Sequence, residues 1–166
     1  VAARNLHWLV PLADGRRAWL SFDGTRWTGW DAATAAPITT DLGSEFAPWS
    51  RAFNDDDAPH FRWFDGARTN CAFNEIDRHV LAGHGAEAAF IFEGDRWDMA
   101  QDNGRGAPVD CYAVSRRQLL LETAKCQVAL ARLGLKAGDR IALNMPNIPA
   151  QLYWTEAAKR MGVVYT

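Results

Sequence analysis

The sequence predicts an α/β fold. Two observations carry this expectation. Residues 116–133 repeat apolar side chains at helical spacing, and residues 138–166 run turn, apolar strand, helix, strand. A strand–helix–strand order of that kind requires a crossover, and it leads to parallel pairing.

The elements follow in chain order. Residues 1–60 are rich in Trp, Asp and Thr, with few long periodic runs, and form a Trp-rich irregular or β segment. Six of the eight tryptophans, Trp8, Trp19, Trp27, Trp30, Trp49 and Trp63, lie before residue 64. In "RRAWLSFDGTRWTGWD" the turn pair Asp23-Gly24 stands between two short strand-like runs, which predicts a hairpin. "NDDDAPH" at residues 54–60 is a polar breaker, because three adjacent aspartates repel one another and favour a solvated loop.

Residues 74–81 read as a helix with Ile76, Val80 and Leu81 on one side, ended by Gly83 and Gly85. "AAFIFE" is a short apolar strand, "EGDR" its turn, and Trp97 continues a hairpin. "DMAQDNGRGAP" is a long exposed loop. Ser115 caps the helix of residues 116–133, and Gln118 completes a capping box. Leu119, Thr123, Cys126, Leu130 and Leu133 share one face, flanked by Leu120, Ala124 and Val128, and Gly134 stops the helix. A buried strand follows at residues 141–145. Pro149 suits the first turn of the next helix, where a missing N–H costs nothing. That helix stops at Gly162, and "VVYT" begins another strand. Because the sequence stops inside that strand, a fragment of a larger chain is expected.

Composition excludes several classes. Net charge is -2, pI about 6.1 and mean hydropathy -0.25, with 48% apolar residues. Neither nucleic acid nor an anionic membrane is indicated as a partner. No apolar run is long enough to span a bilayer. Residues 1–20 carry Arg4, Asp14, Arg16 and Arg17 and no sustained apolar centre, so no secretory signal is expected among them. Cys71, Cys111 and Cys126 are odd in number and widely spaced, which suits reduced thiols in a cytoplasm.

The sequence names no catalytic, cofactor-binding or metal-binding residue. Gly134 and Gly138 precede a strand rather than a helix, unlike a phosphate loop. "DNGRGAP" is not followed by a helix start. Asp77 and His79 are two apart and face different ways on a helix, and His84 lies beyond its stop, so a structural role is expected for all three. The aspartates at 55–57 lack the spacing of a calcium loop. None of Ser21, Ser44, Ser50 and Ser115 sits in a nucleophile elbow. Cys126 falls on a core face, and nothing activates Cys71 toward His79. The tryptophans either bury area against a neighbouring domain or form a binding surface, since aromatic faces stack on apolar ligand faces.

"FRWFDGARTNCAFNEIDRHV", residues 61–80, resembles a stretch near the start of AMP-forming acyl-CoA synthetases of the acetyl-/propionyl-CoA synthetase branch. Trp63, Phe64, Gly66, Asn70, Asn74, Asp77, Arg78 and His79 match that family's pattern. Gly138, Asp139, Arg140, Ala142, Met145, Pro146 and Pro149 match a second motif. "IFEGD", "MGVVYT" and, weakly, "NLHW" at residues 5–8 are also similar. Departures are Ala67 for a glycine, Thr69 for a leucine, Ala150 for a glutamate, and "AVSRRQL" at the helix opening. Residues 12–50 and 99–108 look like insertions.

The resemblance implies that residues 1–60 are an extension and that residues 61–166 begin the large adenylate-forming (AMP-binding) domain. It implies a parent that uses ATP, magnesium and CoA to turn a small carboxylate into its CoA thioester through an acyl-adenylate. The family's phosphate loop, carboxylate pocket and catalytic lysine would lie beyond Thr166, so the fragment alone is expected to be inactive. Its partners would be the AMP-binding core and C-terminal lid. The departures suggest a divergent branch, with a trifunctional propionyl-CoA synthase bearing dehydratase and reductase domains as the particular candidate. The alternative is a self-contained, non-catalytic docking module that uses its tryptophan-rich surface.

Overall fold

The computed structural model describes residues 6–43 and 45–166. Arg4, Asn5 of the "NLHW" match and Ser44 lie outside the described residues. The chain divides into two compact units, residues 1–70 and 71–166.

In the first unit, β1 (Trp8–Pro11), β2 (Arg17–Phe22), β3 (Trp27–Asp31) and β4 (Pro37–Thr40) form an antiparallel meander in chain order. The expected Asp23-Gly24 hairpin joins β2 to β3. Asp23 Oδ1 accepts from the N–H groups of Thr25 and Arg26 at 2.7 and 2.8 Å, which closes the turn. Strand alternation turns Trp8, Val10, Ala18, Leu20 and Trp27 to one buried face. Trp8 meets Trp49 and Phe64 edge-on, at centroid distances of 5.3 and 5.0 Å, and Trp27 meets Phe46 at 5.2 Å and 86°. Trp8 and Trp27 therefore build this unit's own core, contrary to the expectation that they bury area against a neighbouring domain. The segment is poor in Leu and Ile, and aromatic rings supply the missing apolar area.

Residues 51–65 make a second hairpin that the sequence did not signal, from β5 (Arg51–Asn54) and β6 (Arg62–Asp65). Residues 60 and 61 lie in its connection. Asp55 to Phe61 are exposed there, as the aspartate run predicts.

The second unit opens with a helix that begins at residue 71, three residues before the expected start. A π-helical turn, Phe73–Asp77, leads into α1 (Arg78–Leu81). Ile76 is buried and Gly83 ends the helix at φ +97°. Next, β7 (Ala88–Glu93) pairs antiparallel with β10 (Cys111–Ser115). "EGDR" does not reverse the chain. Gly94 donates to the Asp110 carbonyl at 2.6 Å and Val109 to the Arg96 carbonyl at 2.8 Å. The ladder then resumes as β8 (Trp97–Asp98) against β9 (Ala107–Pro108). Trp97 thus continues the hairpin, and the reversal lies farther out, where Asp102 and Asn103 adopt positive φ.

Helix α2 (Arg116–Arg132) starts at the expected cap, with Gln118 N–H donating to Ser115 Oγ at 3.1 Å. Thr123 and Leu130 are its buried positions. Leu133 is 76% exposed and leaves the expected core face, because the helix ends at Arg132 and Gly134 (φ +84°) turns the chain. Leu135 takes the inward place and donates to the Leu130 carbonyl.

β11 (Arg140–Ile141), α3 (Pro149–Met161) and β12 (Val164–Tyr165) form the expected parallel strand–helix–strand unit. Residues 141–145 are not the buried strand that the apolar run suggests. Ile141, Leu143 and Met145 are half-buried while Ala142 and Asn144 are exposed, because β12 covers one edge only. Ala157 and Ala158 on α3 are fully buried, and these small side chains let α2 and α3 pack closely.

Candidate functional site

The first resemblance motif spans both units, and each part has its own local role. In the first unit, Trp63 is 64% exposed, and Phe64 sits at φ +56°, an uncommon conformation for a bulky residue. That turn swings Phe64 inward onto Trp8 and Trp49. In the second unit, Asn74 is buried and Asp77 forms an ion pair with Arg160 of α3. Burial pushes the Asp77 carboxyl above its ordinary range, although Arg160 opposes the shift.

Beside Arg160 in the chain, Lys159 Nζ lies 2.7 Å from both Glu75 and Glu156. Glu156 is 7% exposed, and desolvation raises its pKa despite the ammonium beside it. The two carboxylates in turn hold Lys159 charged, outweighing the desolvation that opposes its charge. These ion pairs join the first helix of this unit to its last.

The second motif builds a turn. Asp139 Oδ2 accepts from the Lys136 N–H at 2.7 Å, Gly138 has φ +90°, and Val164 donates to the Asp139 carbonyl at 2.8 Å. Asp139 thus fixes the turn and launches the parallel pair, while Arg140 is exposed and opens β11. Pro149 is buried at the first helical position of α3.

Several of the side chains considered for chemistry have structural partners. Asp77 pairs with Arg160, and His84 Nδ1 lies 2.6 Å from Glu87. Burial lowers the His79 pKa, helped by Arg78 and Arg116. Ser50 Oγ donates to the Asp65 carbonyl, and Ser115 is the helix cap. Cys126 is half-buried, and its thiol pKa is pushed up by desolvation, which keeps it protonated and unreactive. Cys71 and Cys111 are exposed and free.

Two arrangements escaped the sequence reading. Ser21 Oγ and His7 Nε2 stand 3.4 Å apart, a contact made by the β1–β2 pairing across fourteen residues. The distance is long, and Ser21 lies on a strand rather than a tight elbow, so the pair lacks the geometry of an activated nucleophile. At Glu87, His84 and Arg116 meet from separate segments. A cleft of about 410 Å³ lies between β7 and the start of α3, and Glu93 is the carboxylate in its lining. Among the described residues, no group of three or more His, Cys, Asp or Glu could hold a metal ion.

No family model matches the chain. Over 121 residues, 73% of the chain, it is 35% identical to acetyl-coenzyme A synthetase of Campylobacter jejuni, of which it covers 16%. It is 37% identical over 123 residues to the Mycolicibacterium smegmatis enzyme of that name, covering 71% of this chain and 12% of that one. The chain is similar to acyl-CoA synthetases. A solved acetoacetyl-CoA synthetase from Streptomyces lividans agrees at the level of fold. It has 28% identity and a TM-score of 0.54, over 72% of this chain and 16% of that one. The chain spans about one sixth of the Campylobacter synthetase's length. No helix among the described residues is long and apolar enough to cross a membrane.

Proposed function

We propose that this chain is the N-terminal scaffold segment of an ATP-dependent acyl-CoA ligase and is inactive alone. The observation that carries the reading is 35% identity to an acetyl-coenzyme A synthetase over 73% of the chain. The parent would adenylate a small carboxylate such as acetate, propionate or 3-hydroxypropionate, releasing pyrophosphate. It would then pass the acyl group to the CoA thiol, releasing AMP. ATP, magnesium and CoA are the cofactors of that parent, a cytoplasmic enzyme in this reading.

The described residues do not themselves fit ATP and magnesium. Gly134 and Gly138 serve a helix end and a turn, and among the described residues no group of three or more His, Cys, Asp or Glu gathers at one point. No step of the reaction is assigned to them. Their role is to hold α2 and α3 together and to present β11 and β12.

Within this reading the trifunctional synthase is the weaker branch. Its support is the set of motif departures and insertions, and the packing of Trp27 within the unit's own core counts against insertions that serve other domains. One observation favours the docking-module alternative. Phe53, Phe61 and Trp63 cluster on the exposed side of the β5–β6 hairpin, with Phe53 and Trp63 centroids 4.6 Å apart.

Two measurements test the proposal. The isolated chain should catalyse no carboxylate-dependent exchange of pyrophosphate into ATP, and clear exchange would overturn the scaffold reading. The polypeptide in its native source should have a mass far above 18.5 kDa. A native mass of that value would instead favour the docking module.

A further inference from the structure

We propose that Glu75, Glu156 and Lys159 form a proton-operated latch between the helix that opens the second unit and α3. With one proton shared by the two carboxyls the latch is closed, and losing that proton loosens it. The device belongs to the second unit alone and does not depend on the ligase reading.

Two carboxyls from opposite ends of the unit meet on one ammonium. Lys159 Nζ lies 2.7 Å from Glu75 Oε2 and 2.7 Å from Glu156 Oε1, and 84 residues separate Lys159 from Glu75. Fully ionised, the three side chains carry a net negative charge. Half of the Glu75 side chain is exposed, but Glu156 is buried, and its Oε2 receives no hydrogen bond among the described residues. A buried carboxylate oxygen with no donor is costly. Glu75 also stands within hydrogen-bond reach of Glu156. Two carboxyls bond to each other at that reach only when one of them carries a proton. A proton on Glu156 therefore removes the buried charge and replaces repulsion by a hydrogen bond. Glu75 is left as the single carboxylate paired with Lys159.

The neighbouring charges have partners of their own. Asp77 and Arg160 pair with each other, and His79 on α1 responds to Arg78, Arg116, His84 and Glu87. From α2, Glu122 and Cys126 act on Tyr153. Desolvation is the main cause that raises the Glu156 pKa, the Glu75 charge adds to it, and Lys159 opposes without cancelling it. The folded chain thus binds this proton more tightly than the unfolded chain does. Its contribution to stability is whole below the ordinary glutamate value of 4.5 and is lost as pH rises through the higher folded-state value. What loosens is the seam between residues 71–81 and α3.

Amide hydrogen exchange of residues 71–81 tests the latch. It is measured from pH 5 to 8 in the whole chain and in Glu156→Gln, a neutral isostere of the protonated state, with intrinsic exchange rates divided out. In the wild type, local opening should grow by up to about tenfold per pH unit above 4.5 and level off beyond the folded-state value. Glu156→Gln should open less than the wild type, and the gap should widen severalfold from pH 5 to 8. His79 and Asp77 titrate in both proteins, so the difference between them isolates Glu156. By NMR, the Glu156 carboxyl carbon should titrate above 4.5. A permanently ionised Glu156 that only pairs with Lys159 predicts the opposite sign, with Glu156→Gln the more open protein at pH 8, and that result would overturn the proposal. So would a gap that does not change with pH, or a carboxyl that titrates at or below its ordinary value.

Discussion

Asp77 and Arg160 stand 83 residues apart in sequence and form an ion pair with four-fifths of each side chain buried. The pair fastens the π-helical turn at residues 73–77 to α3, beside the Glu75–Lys159–Glu156 bridge. Replacing Arg160 by Gln leaves the Asp77 carboxylate poorly compensated in a partly buried place. The expected loss is about 2 kcal/mol of unfolding free energy at pH 7, read from urea denaturation. Asp77 has a raised pKa in the folded chain, so the folded state binds its proton more tightly than the unfolded state does. Stability from that proton is present at acid pH and is lost as pH rises through the folded-state value. The deficit of Arg160→Gln should therefore shrink as pH is lowered and Asp77 takes up its proton.

His79 shifts the other way. Burial depresses its pKa below the ordinary value of 6.5, so the unfolded chain takes the proton first. Its contribution is whole above that value and declines as pH falls below it. The urea midpoint should drop between pH 7.5 and pH 5, and His79→Gln should reduce that drop. An unchanged drop in the variant would show that His79 is not its source.

Gly29 has a role no other residue can fill. A methyl group there would lie 1.9 Å from the Trp19 carbonyl oxygen on the neighbouring strand. Gly29→Ala should force β2 and β3 apart and cost about 3 kcal/mol, with Trp fluorescence of the first unit as the readout.

Ser115→Ala removes the side-chain acceptor that caps α2. Unfolding free energy should fall by about 1 kcal/mol, and Ser115→Asp should restore most of it, because an aspartate caps equally well and suits the helix dipole.

How much of this was legible in the sequence depends on how local each signal is. Helices α2 and α3 were readable because Ser115, Gly134, Pro149 and Gly162 mark their ends within a few residues of a periodic core. The β2–β3 hairpin was readable from Asp23-Gly24. The β5–β6 hairpin was not, since its two short arms are joined by seven residues, and Phe64 turns inward only by adopting a positive φ. The turn of the β7–β10 hairpin was placed too early because "EGDR" resembles a reversal. The Gly94–Asp110 and Val109–Arg96 bonds and the β8–β9 pairing show that the chain runs on. Residues 141–145 misled in the opposite sense, as apolar character alone does not say how many strands will cover it. The meeting of His84 and Arg116 at Glu87 joins separate segments, and no spacing rule connects them.

The tip beyond β8 and β9 carries one more consequence. Below it, Arg96 grips Asp110 through two bonds of 2.8 and 2.7 Å, and the Trp97 indole packs onto Gly106. The register of β7 and β10 is therefore set at the base of the finger, and residues 99–104 at its end have no say in it. Extra residues spliced in there, or a trypsin cut after the exposed Arg105, should leave the strands beneath zipped. The tip is thus a natural place to graft an epitope or a fluorescent label onto this protein.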